Sequence, residues 1–394
     1  MPTDIHVPVQ VTVEDWQRLP VLRTKQGYSS DVETWTLDSD GPMVERDHRA
    51  RIASVQGEDR ARAVVGEPRR LDFADPAVTA LVNIQRAYLE LLEYKQRRGY
   101  DNVLIRPSAL IPILERCELT VAVDDADRGD RIQAVAEEAL RAYLDAWIRQ
   151  RRRRAEYAQL EITNLGSVRD NVIDEYVVRV RTPELRSAIE ELIADRDRLL
   201  QASDEVLPRL RLDWHIYNPV LKAPMKGQGE LSIRPPALVA SEQRLITGLY
   251  DFWLENYRRE PYAGVQLHLL RNLSGRGLRF FPRAGFSPDF ILWVEREERT
   301  LVQFLEPHGM HDEGLAGNAD RFQALGELAA KSGEPEFEAA RIELGGFVLT
   351  TTKPSDISDA GPRTRQELME TFPYLLWMDV PEFPARILKS AEQR

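Results

Sequence analysis

Two short apolar runs that each meet a carboxylate at one end constrain this chain more than any other feature. The first is Ser287-Pro288-Asp289-Phe290-Ile291-Leu292-Trp293. The second follows one charged turn later as Leu301-Val302-Gln303-Phe304-Leu305-Glu306-Pro307-His308-Gly309. Runs this short and this apolar belong in a sheet covered on both faces. An acid where such a strand ends is expensive to bury unless it is hydrated, paired or bound to a metal. Two acids on neighbouring strands can share a divalent cation with a phosphate.

The rest of the chain sets limits on that chemistry. With 394 residues, 43% of them hydrophobic, it can bury cores in two or three domains, which excludes a disordered or fibrous protein. The single cysteine, Cys117, lies on a short apolar helical stretch. It allows no disulfide framework, fits a reducing compartment, and reads as core filler. No stretch of roughly 18 apolar residues occurs and no basic leader precedes an apolar run, so the expectation is a soluble cytoplasmic protein with no membrane partner. A net charge of −11 excludes a generally basic nucleic-acid binder but not a local basic face. The densest cationic run, Arg149 and Arg151 to Arg154, closes a helical stretch that starts near Asp130. It reads either as a solvated helix end that suits the dipole or as a contact with a phosphate backbone.

Periodicity predicts a mixed α/β chain in four parts. Residues 1–75 form a small mixed region, with alternation at Val9, Val11 and Val13 and a second strand around Trp35. Residues 76–205 are mostly helical. Ile84, Tyr88 and Leu91 form one stripe there, and Ile132, Ala136, Leu140, Tyr143 and Trp147 form another. A strand to Val180 and a helix opened by Thr182-Pro183 complete that part. Residues 206–240 connect. Residues 241–394 begin with a helix capped by Ser241, followed by three strands, a helix from about Asn318 to Lys331, and a strand over Phe347 to Thr351.

Glu242 adds a third acid. Ile246 and Leu249 lie four and seven residues after it, so it shares the apolar face of its helix, although an acid in a first turn also suits the dipole. Phosphodiester hydrolysis needs an attacking water, charge stabilisation on phosphate oxygens and help for the leaving oxygen. Magnesium keeps several waters and takes one or two carboxylates plus the substrate, so Asp289 and Glu306 suffice as side-chain ligands, with the Pro307 carbonyl as a further candidate.

Asp289 and Glu306-Pro307-His308 together resemble the PD-(D/E)xK nuclease signature, and the element order from Ser241 to Thr351 is similar to its common core. More closely, Leu269-Leu270-Arg271-Asn272, Gly285 to Trp293 and Phe304 to Gly309 resemble the C-terminal nuclease region of type III restriction-like superfamily 2 helicases. Ile173-Asp174-Glu175-Tyr176 and His215 to Leu221 are similar to stretches between motor and nuclease in those proteins, so the resemblance covers about residues 130 to 355. It implies a restriction-endonuclease-like C-terminal domain that cuts DNA with Mg2+ or Mn2+ in restriction or antiphage defence. Asp289 and Glu306 would be metal ligands, Glu242 a supporting acid, and His308 would stand in the lysine slot.

Two departures accompany it. No phosphate loop ending in Lys-Ser or Lys-Thr and no acidic helicase box occurs, so the implied superfamily 2 helicase would be a separate polypeptide. His308 replaces a permanently charged lysine, and a neutral imidazole stabilises negative charge less well.

Arg271, Asn272, Arg276, Arg279 and Arg283 cluster just before Asp289 and read as a grip on the nucleic-acid backbone or as a solvated hairpin. His308, His311, Asp312 and Glu313 also invite a transition-metal reading, but two histidines three apart suit a zinc ion only if they lie on a helix, and Gly309 argues against that. The alternatives to a deoxyribonuclease subunit are a catalytically inactive DNA-binding or scaffold subunit of a helicase complex, and an RNA nuclease.

Overall fold

A computed structural model describes residues 3–8, 17–25, 27–53, 62–65, 67–125, 128–167, 175–194, 209–210, 220–221, 231–234, 236, 238–272, 287–311, 313–357 and 359–389. Within these residues the chain is mixed α/β, and no helix is long and apolar enough to cross a membrane. Val9, Val11, Val13 and the segments 171–174 and 212–219 lie outside the described residues, as do Arg276, Arg279 and Arg283.

The chain divides into two compact units: residues 24–160 with 281–284, and residues 1–23, 161–280 and 285–394. The expected boundary near residue 75 therefore falls inside the first of these, and the N-terminal strand is grouped with the C-terminal sheet.

In the unit of residues 24–160, the helix Gly129–Ala158 carries the core. Ile132, Ala136, Leu140, Tyr143 and Trp147 are all buried, as their spacing predicts. They pack with Leu91 from the helix Ile84–Arg97, Ile113 and Leu114 from Leu110–Glu115, and Leu119 and Val121 from the strand Glu118–Ala122. The arginine run does not end this helix, which continues to Ala158. Arg151 pairs with Asp38 at 2.7 Å and stacks on Trp147, and Arg152 pairs with Asp31 and stacks on Tyr100. Arg153 is buried, while Arg149 and Arg154 face solvent. Most of the run therefore holds its own unit together. Cys117 is core filler: it follows the helix Leu110–Glu115, donates to the Ile113 carbonyl, and burial pushes its thiol up to about 11.

The other unit is built on a five-stranded sheet. Helix α1 (Ala240–Asn256) leads into strands β1 (Gln266–Arg271), β2 (Phe290–Glu295) and β3 (Thr300–Pro307), then helix α2 (Ala319–Lys331) and strand β4 (Ile342–Thr350). Apart from a short further helix at Pro335–Ala340 before β4, this is the helix, three strands, helix and strand order predicted from the pattern. Strand β5 (Leu375–Trp377) and helix α3 (Phe383–Leu388) follow. The sheet order is β1-β2-β3-β4-β5. The first two pairings are antiparallel and the last two parallel.

Every residue of β4 and all but one of β2 and of β3 are buried, as expected of a sheet covered on both faces. Alternation assigns the cover. Gln303 donates to the Ile387 carbonyl of α3, and Gly248 of α1 lies against Phe383, so α1 and α3 share one face. On the other face a side chain at Gly346 would run into Leu325 of α2 and into Phe304. Gly346 is therefore a close-packing device inside a nine-residue strand, and β4 starts five residues earlier than predicted. Trp293, on this second face, donates its indole N–H to the Pro20 carbonyl at 2.7 Å.

Candidate active site

The site lies where β1, β2 and β3 end together. Phe290 pairs with Arg271 on one side and Leu305 on the other. One step further along, the same registers set Asn272, Asp289 and Glu306 in a single row across three strands. Two hydrogen bonds fall in that row: Asn272 N donates to the Asp289 carbonyl at 2.7 Å, and Asp289 N donates to Glu306 Oε2 at 3.1 Å. Directly opposed residues share a face. Asp289 and Glu306 therefore lie on the face of Phe304, against which α2 packs. The loop before Asp289 is braced by Asn272, whose side-chain amide donates to the Pro288 carbonyl at 2.8 Å and to Ser287 Oγ at 3.2 Å.

Both carboxyl groups are held above the ordinary carboxylate range. For Asp289 burial is the largest cause and the charge of Glu242 adds to it, while Arg271 and Arg321 oppose. For Glu306 burial again leads and Asp289 adds to it, with Arg321 and the Asp289 N–H opposing and Glu242 adding a smaller push. Two acids that burial and neighbouring carboxylates make reluctant to ionise lack sufficient positive charge around them.

Glu242 is near enough to act on both, but its own carboxylate is engaged elsewhere. Its Oε2 accepts the Val239 N–H at 2.7 Å and lies 3.3 Å from Arg271 Nη2. Ser241, expected to cap α1, sits one residue inside the helix. Its hydroxyl donates to the Pro307 carbonyl at 3.2 Å, so that oxygen already has a partner. Glu242 caps the helix instead, from its first turn.

Arg271 and Asn272 were expected on a phosphate-binding surface; the structure places both inside. Arg271 is buried, donating to the Pro236 carbonyl at 2.6 Å while pairing with Glu242, and Asn272 clamps the loop as described. Both alternate on a strand that is covered on its two faces, which removes them from solvent.

His308 leaves β3 with its backbone N–H bonded to the Leu349 carbonyl. Its Nε2 lies 3.3 Å from Glu313 Oε2. His311 is exposed, and residues 308–311 are not helical, so the helix-borne zinc pair does not form. Among the described residues no group of three or more His, Cys, Asp and Glu side chains is gathered to hold an ion. The two-carboxylate set of Asp289 and Glu306 is the donor chemistry that suits Mg2+, which needs no all-protein cage, and their excess negative charge fits a cation.

Comparison with protein-family models, with curated proteins and with solved structures finds no match.

Arg321 escaped sequence reasoning. It precedes Leu325 by one helical turn, so it lies on the side of α2 that packs on the sheet, at the rim nearest the acids. Its Nε is 3.5 Å from Glu306 Oε1, while Nη1 bonds Glu313 Oε2 at 2.7 Å and Asn318 Oδ1 at 2.8 Å. A cation one turn before the buried residues of an amphipathic helix was the available signal. Glu313 stands out in the sequence only beside His308 and His311, as a possible metal ligand, and not as the partner of an arginine.

Proposed function

We propose that this chain is a metal-dependent nuclease subunit of PD-(D/E)xK type that hydrolyses DNA phosphodiesters. One observation carries the reading: Asp289 and Glu306 stand opposed on adjacent strands at one end of a buried sheet, each carboxyl pushed up by burial and by a neighbouring acid, Glu242 for Asp289 and Asp289 for Glu306. The order of elements around them supports it further.

Asp289 and Glu306 would hold the metal, Mg2+ or Mn2+. When bound, that ion supplies a polarised water and charge stabilisation for the phosphate oxygens. The chain's own contribution is placement. Asn272 fixes the backbone that presents Asp289, and the Asp289 N–H fixes one oxygen of Glu306. Glu242 orients Arg271 beneath the pair, so its part is support rather than ligation.

The resemblance to helicase-linked nuclease regions makes a superfamily 2 helicase the partner in this reading, in restriction or antiphage defence. One observation favours an inactive DNA-binding or scaffold subunit: His308, in the lysine slot, is drawn to Glu313.

Purified chain is incubated with single- and double-stranded DNA and with RNA, in Mg2+ or Mn2+, with and without a helicase partner. Wild type cuts DNA and Asp289→Ala does not. Identical behaviour of the two proteins, with both still retaining DNA, establishes the scaffold reading instead, and cutting confined to RNA moves the substrate class.

A further inference from the structure

We propose that Arg321 is the permanent cation of this site, so that the charge facing a phosphate comes from helix α2 and not from the strand position of His308. The inference rests on the nuclease reading and adds a residue to it. Glu242 and Arg321 act on both Asp289 and Glu306; Asp289 also acts on Glu306, and Arg271 on Asp289. Of the two arginines, Arg271 is fixed inside by Glu242 and the Pro236 carbonyl and leaves 8% of its side chain exposed. Arg321 keeps 28% of its side chain open.

The attachment of Arg321 is uneven. Nη1 is anchored firmly by Glu313 and Asn318, whereas Nε approaches Glu306 at 3.5 Å, beyond hydrogen-bond distance, through charge attraction. A divalent cation between the acids would replace that attraction and release the guanidinium for an anion. A planar fork of donors that stays charged at any working pH is suited to a phosphate. His308 cannot take this role while its Nε2 faces Glu313.

Two opposite effects on one side chain follow. Arg321 competes with the metal for the acids and helps the reaction once the metal is in place. In Arg321→Gln, Mn2+ affinity of the full chain, read by electron paramagnetic resonance of the free ion, should rise about tenfold, as expected for removing one nearby charge. DNA cleavage should fall about 100- to 1000-fold, the usual loss when one stabilising donor is removed. Arg321→Lys should keep most of the cleavage, and His308→Gln should change it by less than about threefold. Asp289→Asn should abolish Mn2+ binding in either background, and circular dichroism of each variant checks the fold.

Cleavage by Arg321→Gln at the wild-type rate, or a larger loss from His308→Gln, overturns the assignment. If wild type cuts no nucleic acid, the nuclease reading fails and the metal arm decides alone. Unchanged or weaker Mn2+ binding by Arg321→Gln then overturns the charge role, and tighter binding retains Arg321 as the counter-charge of the pair.

Discussion

Asp289 and Glu306 show what burying like charges together does to a single residue. Their carboxyls lie above the ordinary range, so the folded state holds protons that the unfolded chain gives up at about pH 4. The sign follows directly: the stability they contribute is complete below that pH and is lost as pH rises through the raised folded values. In metal-free buffer, Asp289→Asn should therefore be more stable than wild type at pH 8 and nearly equal to it at pH 4. Denaturant titrations across this range check it, and a variant less stable at pH 8 contradicts the assignment. Metal binding must displace those protons, so Mn2+ affinity should climb over the same interval. Both acids could be picked out in the sequence because carboxylates at the ends of apolar runs stand out. Glu242 was visible too, but its role was not, because only the fold brings Arg271 and the Val239 N–H to its oxygens.

At the scale of elements, helical spacing located α1 and α2, and unbroken apolar runs located β2 and β3, to within a residue or two, because a helix buries one face and these strands bury both. β4 was harder to place. Gly345 and Gly346 look like a break, yet Gly346 is required where Leu325 and Phe304 close over the strand. Gly346→Ala should destabilise the sheet unit by about 1–3 kcal/mol, the usual range for overpacking, and toward its upper end because one of the atoms it meets is backbone. It should also weaken metal-dependent activity, since α2 carries Arg321. Melting curves with a parallel cleavage assay test both, and a neutral substitution would mean that α2 can retreat. The arginine run in Gly129–Ala158 teaches the converse. A cluster that reads as a phosphate grip is largely occupied by Asp31, Asp38, Tyr100 and Trp147 of the same unit.

For the molecule as a whole, the two units have separate cores, and only one of them contains the acid row. A ligand that binds only the native state stabilises it by mass action, by about 2.7 kcal/mol at a hundredfold excess over Kd. Saturating Mn2+ should raise the melting temperature of wild type and leave Asp289→Asn unmoved; equal shifts in both would place the ion elsewhere. The sequence by itself determined the α/β class, the order of elements around the paired strands, and the identity of the two acids, because hydrophobic period and the cost of a terminal carboxylate are local properties. Tertiary structure alone decided that the chain's first strand, Thr3–Pro8, falls in the same compact unit as its last sheet, that Arg271 and Asn272 turn inward, and that Arg321 meets Glu306. Those outcomes depend on registers and helix approaches between residues far apart in the chain, and no local pattern encodes the distance between them.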